Sequence, residues 1–391
     1  MLTRRQTVAG LGALPLLAGL DGRAEAQEVV KIGLILPMTG QSASTGRQIE
    51  AAAKLYMAQN GQAVAGKRVE LIVRDDTGAA DVTRRIAQEL IVNEKVAALG
   101  GFGLTPLAFA AAPLATQSKT PMIVMAAATS AITEQSPFIV RTSFTLPQAT
   151  QPIADWAAKN NIRKVISLVT DYAPGIDAEK AFKERFGRAG GEVTAEVRVP
   201  LRNPDFAPFL QRVADARPDA LFVFVPSGIG GHFVKQFVER GLDKAGVKLI
   251  GTGDVTDDDL LNDMGDAIIG VVTSHHYSAA HNSPENKAFV QAFRAANPNM
   301  RPNFMAVGGY DGMHLFYEAL KKTRGATEGR GLIDAMKGMN WVSPRGPITI
   351  EARTRDITQN VYVRRVEKVD GQLYNVEFDT FEAVPDPVKG R

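Results

Sequence analysis

The stretch GGFGLTPLAFAAAP (residues 100–113) sets three glycines around one phenylalanine, then a threonine, a proline and an alanine-rich run. The apolar run VAAL (96–99) enters it as a buried strand, and what leaves it reads as a helix over 105–117. Glycine lets backbone N–H groups approach a guest closely, and a helix starting there aims its unpaired amides at the same point. Thr105 stands where it can cap that helix or donate to an anion. A corner of this kind belongs to a parallel α/β sheet, which binds ligands beyond the carboxyl ends of its strands.

Outward from this corner, short runs rich in branched residues alternate with helical spacing. VVKIGLILP (29–37), VELIVRDD (69–76), PMIVMA (121–126) and FIVRTSF (138–144) read as strands. Residues 45–60 and 81–94 read as helices between them. The second half repeats the pattern: strands at 164–171, 192–200, 220–226, 247–253 and 268–277, with helices at 177–189, 204–216, 230–241 and 257–264. Strands separated by helices make βαβ units. The expected fold class is α/β, with two doubly wound, Rossmann-like lobes, each around a central parallel sheet. SFTLPQAT (143–150) and TSHHYSA (273–279) are the boundary candidates. A helical stretch over 285–337 is expected to return to the first lobe, and a β-rich tail (347–376) to complete the second.

The chain has 391 residues, 45% hydrophobic and 22% charged, which suits two ordinary cores. Its net charge of +3 is spread over mixed signs, which excludes a basic stripe for nucleic acid. Cysteine is absent, which excludes disulfides, zinc–thiolate sites, thiol nucleophiles and lipid attachment through cysteine. Residues 1–26 read as a secretory signal. Two arginines precede the uncharged run VAGLGALPLLAGL (8–20), and Ala24-Glu25-Ala26 ends it with the small-x-small pattern. Thr3-Arg4-Arg5 resembles a twin-arginine signal, although Thr7-Val8 departs from the usual residues after the pair, so the export route stays open.

The residues just after each strand carry the chemistry. AAATSAIT (126–133) is a second donor-rich turn, with Thr129 and Ser130 before a short helix, and PSGIGG (226–231) offers Ser227. Either of the first two turns alone is served by ordinary N-capping. Together, with no cation between them, they suit one small carboxylate. Asp257-Asp258-Asp259 reads as the acidic first turn of a helix rather than a metal cluster. His275 and His276 alternate faces of a strand, so one is expected buried and one exposed, with His276 in reach of the cleft. Arg364-Arg365 reads as solvated. No metal site and no cofactor are expected. The G-x-G at 101–103 meets Pro106 where a dinucleotide turn needs glycine, and no G-x-S-x-G, H-E-x-x-H or P-loop occurs. An α/β enzyme is therefore the weakest of the readings.

At this point the sequence resembles the periplasmic solute-binding proteins of the branched-chain amino acid (Leu/Ile/Val) class, components of ABC importers with a type I bilobal fold. The likeness rests on IGLILPMTGQSASTG, VELIVRDD, GGFGLTPLAFAAAP, PMIVMAAATSAIT, TDYAPG and AVGGYDGMHLFYEAL, in that order, across residues 28–380. It implies lobes of residues 27–145 plus about 276–345 and 146–275 plus about 346–391, a three-strand hinge, and a ligand in the cleft between them. It also implies a monomer in the periplasm that delivers its ligand to an inner-membrane permease. By position, the resemblance assigns the ligand carboxylate to Thr105, Thr129 and the backbone at Ala127. Tyr172 would cover the guest, Asp254 would meet an α-ammonium, Phe102 would flank the side-chain pocket, and Gln41, Ser44 and Thr45 would form its edge. Thr45 in place of an aromatic ring, Ala173 in place of glycine, and GTGDVTDDD (251–259) depart from the amino-acid pattern. An aromatic acid such as a benzoate or phenylpropanoid derivative is the other ligand class open. A ligand-sensing module of a receptor system would share every one of these features.

Overall fold

The computed structural model describes residues 28–389; the expected signal at 1–26 lies outside them. The first sheet draws on β1 (Val29–Leu36), β2 (Ala63–Val64), β3 (Lys67–Asp75), β4 (Ala98–Gly101), β5 (Met122–Val124) and β6 (Ile139–Arg141). Its strand order is β2-β3-β1-β4-β5-β6, parallel throughout except where β2 pairs antiparallel with β3. Helices α1 (Ala43–Asn60), α2 (Ala80–Val92) and α3 (Thr105–Ser118) connect these strands.

The chain then passes through α4 (Leu146–Lys159) into a second sheet. Its strands are β7 (Lys164–Thr170), β8 (Glu192–Val199), β9 (Ala220–Phe224), β10 (Lys248–Thr252) and β11 (Val272–His275), joined by α5 (Ala173–Arg188), α6 (Ala207–Ala216) and α7 (Gly230–Glu239). These five strands are parallel, in the order β8-β7-β9-β10-β11. Next, α8 (Pro284–Ala296) and α9 (Phe304–Lys322) pack against α1, and α10 (Gly329–Met336) against α9 and β6. The chain finally returns to the second sheet as β12 (Asn340–Ser343), β13 (Gly346–Ile350), β14 (Ile357–Val369) and β15 (Gln372–Val384). These four pair antiparallel, with β14 against β11. Both sheets are thus mixed: the expected parallel order holds at their centres and gives way to antiparallel pairing at the edges.

Three apolar clusters hold the layers. One lies under α2 and α3 on the first sheet, with Leu90, Leu99 and Ile132. Another lies under α6 and α7 on the second, with Phe206, Phe233 and Leu249. The third runs unbroken from Ile49 and Phe316 through Phe144 to Phe182 and Phe222, across the passage between the sheets.

Two elements differ from the reading of the sequence. Helix α4 was hidden by Pro147 and Pro152. Pro147 sits in the first turn, where no N–H is needed, and Thr145 and Gln148 cap that turn reciprocally. The acids 257–259 start no α-helix; they lie in a turn before a 3₁₀ turn at Leu261–Met264. Asp257 is buried, takes the Ser227 hydroxyl, and receives the Asn303 amide at 2.9 Å on each oxygen; burial pushes its carboxyl up to about 7. Among the described residues no group of three His, Cys, Asp or Glu side chains is placed to hold a metal ion.

Where the chain passes between sheets, buried arginines tie it down. Arg345 is fully buried and all five of its N–H groups are engaged, by Asp311 Oδ2 (2.6 and 2.9 Å), the carbonyls of Thr142 (2.7 Å) and Ser143 (3.1 Å), and Gln359 Oε1 (2.8 Å). Arg141 meets Asp356 at 2.6 Å and donates to the carbonyls of Ala127, Thr129 and Phe144. Arg364, expected in solvent, is fully buried; it holds the Tyr277 carbonyl and the Thr273 hydroxyl and lies 3.7 Å from Asp258. His275 and His276 are both buried, against the expectation that one faces water. Their rings stack on Phe144 at 4.5 and 4.8 Å, where apolar packing leaves no room for solvent.

Breaking the Arg345 pair leaves Asp311 charged in a dry site, so Arg345→Met should cost about 3–5 kcal/mol in urea unfolding. The further change Asp311→Asn should recover part of that loss. Burial, opposed in part by Asp254, holds His275 down at about 4, and burial together with His275 holds His276 well below its ordinary range. The unfolded chain takes up these protons near pH ~6.5. The two imidazoles therefore withdraw stability as pH falls from about 6.5 toward about 4. Unfolding measured across that window should lose less stability per pH unit in His276→Phe, by up to about 1.4 kcal/mol.

Candidate functional site

Strand order reverses beside β1 in the first sheet and beside β7 in the second, so each sheet opens a crevice at the carboxyl ends of those strands. The two crevices face one narrow, shared cavity. The first sheet contributes Thr45 at the start of α1, Gly103 to Thr105 after β4, and Ala126 to Ala128 after β5. The second contributes Tyr172 and Pro174 after β7, Phe224, Pro226 and Ser227 around the end of β9, and Asp254 after β10. Phe144 and Leu146, on the passage between the sheets, and Met305 in α9 close the remaining side.

The glycine corner takes its shape from crowding as well as from openness. Gly101 has φ +103°, and a Cβ there would stand 2.5 Å from the Ile35 carbonyl oxygen. Phe102 follows at φ +67° with its N–H on that same carbonyl and its own carbonyl taking the Ala127 N–H. This curl turns the Phe102 ring into the core beneath α2 and α3, so it does not flank the cavity. It also brings the start of α3 to the cavity wall. Leu104 is the N-cap and offers no side-chain cap. Thr105 is 1% exposed, and its hydroxyl has no partner among the described residues. A buried, unpaired hydroxyl on a helix start that faces a cavity is open to a hydrogen-bond partner.

The neighbouring turn differs from expectation. Both backbone groups of Ala127 are engaged: its N–H by Phe102, its carbonyl by Arg141 Nη1 (3.2 Å) and Ser143 Oγ (3.1 Å). The amides of this turn without a backbone carbonyl partner are those of Ala126, Ala128 and Thr129. The Thr129 and Ser130 side chains are buried outside the cavity lining, beside Asp177 of α5, which accepts the Ser130 N–H at 3.1 Å. Desolvation raises the Asp177 carboxyl above its ordinary value. The two threonine hydroxyls therefore do not share one void; Thr105 faces it and Thr129 does not.

Of the remaining candidates, Thr45, Tyr172, Ser227 and Asp254 line the cavity. Tyr172 stacks on Phe224 with ring centres 6.1 Å apart, and burial, reinforced by Asp254, lifts its phenol well above the usual value. Asp254 is the sole Asp, Glu, Lys, Arg or His in the lining. Gln41 lies instead in an outer groove with Thr39, Arg202 and Asn203, where its Oε1 accepts the Asn203 N–H at 3.3 Å across the cleft mouth. Ser44 is buried beneath the wall, and His276 stands behind Phe144. Phe144, Phe224 and Met305 were missed because each sits in an apolar stretch that reads as core. Their position at strand ends and at the start of α9 was the available signal.

The profile of the periplasmic binding protein family matches residues 29–372. Among curated proteins, the Leu/Ile/Val-binding protein homolog 6 of Brucella abortus is 44% identical over 372 residues, covering 94% of this chain and 95% of its own. Among solved structures, a solute-binding protein of an ABC transporter from Rhodopseudomonas palustris BisB5, in complex with 3,4-dihydroxybenzoic acid, is 64% identical with a TM-score of 0.91. It covers 92% of this chain and 99% of its own. A second, from R. palustris HaA2 in complex with p-hydroxybenzoic acid, is 44% identical with a TM-score of 0.90, covering 93% and 100%. The family profile spans most of the chain and the likeness holds along its whole fold: the chain belongs to the periplasmic binding proteins.

Proposed function

We propose that this protein is the solute-binding component of an ABC importer, capturing a benzoate-type aromatic acid between its two lobes and presenting it to a membrane permease. The observation that carries this reading is the lining itself. Phe144, Tyr172 and Phe224 bring aromatic rings to the cavity, and no cation stands among them. The Thr105 hydroxyl, with the open amide of Ala128 in the same lining, offers uncharged donors to a carboxylate. A flat ring suits aromatic walls of this kind, and its carboxylate would accept the donors. Relatives solved with hydroxybenzoic acids support the same class. An amino acid would set its ammonium on Asp254 but leave the aromatic walls with only a short side chain to cover.

The reading includes export by residues 1–26, action as a periplasmic monomer, and no turnover of the ligand. The lobes as units are taken as 27–145 with about 276–345 and 146–275 with about 346–391. Among the described residues no helix is long and apolar enough to cross a membrane.

Calorimetry against benzoate, 3,4-dihydroxybenzoate and leucine tests the class. An aromatic acid should bind near micromolar affinity, about −8 kcal/mol, with leucine silent; the reverse result would overturn the reading. Thr105→Val should weaken aromatic-acid binding by about 1.5–3 kcal/mol, the worth of one hydrogen bond to a charged group, with an unchanged melting curve.

A further inference from the structure

We propose that Asp254, held by Thr252 and His275, is the acceptor for a ring hydroxyl placed opposite the guest's carboxylate, so that the cavity selects para-hydroxylated benzoates over benzoate itself. The proposal rests on the aromatic-acid reading above.

Asp254 is 4% exposed and belongs to the wall facing Thr105. Its Oδ2 accepts the Thr252 hydroxyl at 2.9 Å, and His275 Nε2 stands 3.4 Å from the same oxygen. Oδ1 has no partner among the described residues and belongs to a residue that lines the cavity. A carboxylate oxygen left open toward an apolar cavity is costly until a donor reaches it. A guest hydroxyl supplies one donor to one oxygen, and no second acceptor is required.

Charge fixes the orientation. The guest is an anion, and two carboxylates side by side in a dry site repel strongly. The carboxylate is therefore directed to the uncharged donors at Thr105, and the hydroxyl to Asp254. Thr105 comes from the first sheet and Asp254 from the second, and the hydroxyl is accordingly proposed to lie across the ring from the carboxylate.

His275 is a positioning residue. Its ring is held between Phe144 (4.5 Å) and Phe304 (4.3 Å), with His276 at 4.5 Å, so it has no room to turn. Neither ring nitrogen makes a hydrogen bond, and Nε2 is the one turned to the carboxylate, 3.4 Å from Oδ2. The backbone next to Asp254 is equally confined: a Cβ on Gly253 would stand 1.9 Å from Arg364 Nη2 and 2.7 Å from the His275 Cβ.

Calorimetry of the full mature chain with benzoate, 4-hydroxybenzoate, 3-hydroxybenzoate and 4-methoxybenzoate tests this. The wild-type protein should prefer 4-hydroxybenzoate over the other three by about tenfold or more, the worth of one hydrogen bond to a charged group. Asp254→Asn should shrink that preference, with the loss falling on 4-hydroxybenzoate more than on benzoate. His275→Asn should shrink it in part, and His275→Gln, which returns a donor at greater reach, should restore some of it. Equal affinity for benzoate and 4-hydroxybenzoate in the wild type, or an equal loss for both in Asp254→Asn, would overturn the proposal while the aromatic-acid reading stood. Failure of every benzoate to bind would instead remove the reading beneath it. Melting curves identify any variant that does not fold, and the wild-type ratio then decides alone.

Discussion

Buried guanidinium groups on backbone carbonyls are the constraint on which this structure depends. Peptide segments passing between two sheets have no ladder to satisfy them, and an unpaired carbonyl in a dry core costs as much as a lost hydrogen bond. Arg345 takes the carbonyls of Thr142 and Ser143, Arg141 that of Phe144, and Arg364 that of Tyr277. Each arginine has a carboxylate beside it: Asp311, Asp356 and Asp258. Such pairs add little net stability against an apolar packing, but their geometry admits few alternatives. They fix the path of the chain while leaving the sheets on either side to be built by ordinary apolar burial.

Arg141 also bears on how the anion site proposed above would do without a cation in its wall. Its guanidinium sits behind the Ala127–Thr129 turn and draws the carbonyls of Ala127 and Thr129 toward itself. The plane of the Ala127 carbonyl so held turns the Ala128 N–H the other way, and that amide has no carbonyl partner; the plane of the Thr129 carbonyl turns the Ser130 N–H onto Asp177. The positive charge is thus applied to the site through polarised peptides rather than by contact. A ligand held in this manner meets directional donors without a flexible charged side chain to reorganise, which suits repeated capture and release.

Much of the fold could be read from the chain, because branched runs of strand length and helical spacing survive at nearly every central element. Losses came where local chemistry misleads. The prolines of α4 look like a break, yet one occupies the only turn where proline costs nothing. The acids at 257–259 look like a helix start, yet tertiary hydrogen bonds hold them inside. The site was legible as a set of turns rather than as a set of side chains. Thr105, Tyr172, Ser227 and Asp254 follow strand ends and reach the cavity, whereas Thr129, Ser44 and His276 also follow strand ends or lie close to one and do not. A single residue of curl, such as the positive φ at Phe102, decides which of them turns inward, and sequence alone does not carry that sign.

Asp356 receives Arg141 on one oxygen and Lys389 on the other, and Lys389 also reaches the Thr133 hydroxyl. The far end of the described chain is therefore moored to the same carboxylate that steadies the guanidinium behind the cavity wall. Pulling on that end, as a fused affinity tag or a surface tether would, loads the wall through a single shared anchor. A handle for immobilisation belongs at the other end of the described chain, where β1 begins at the amino ends of the first sheet's strands, opposite the cleft.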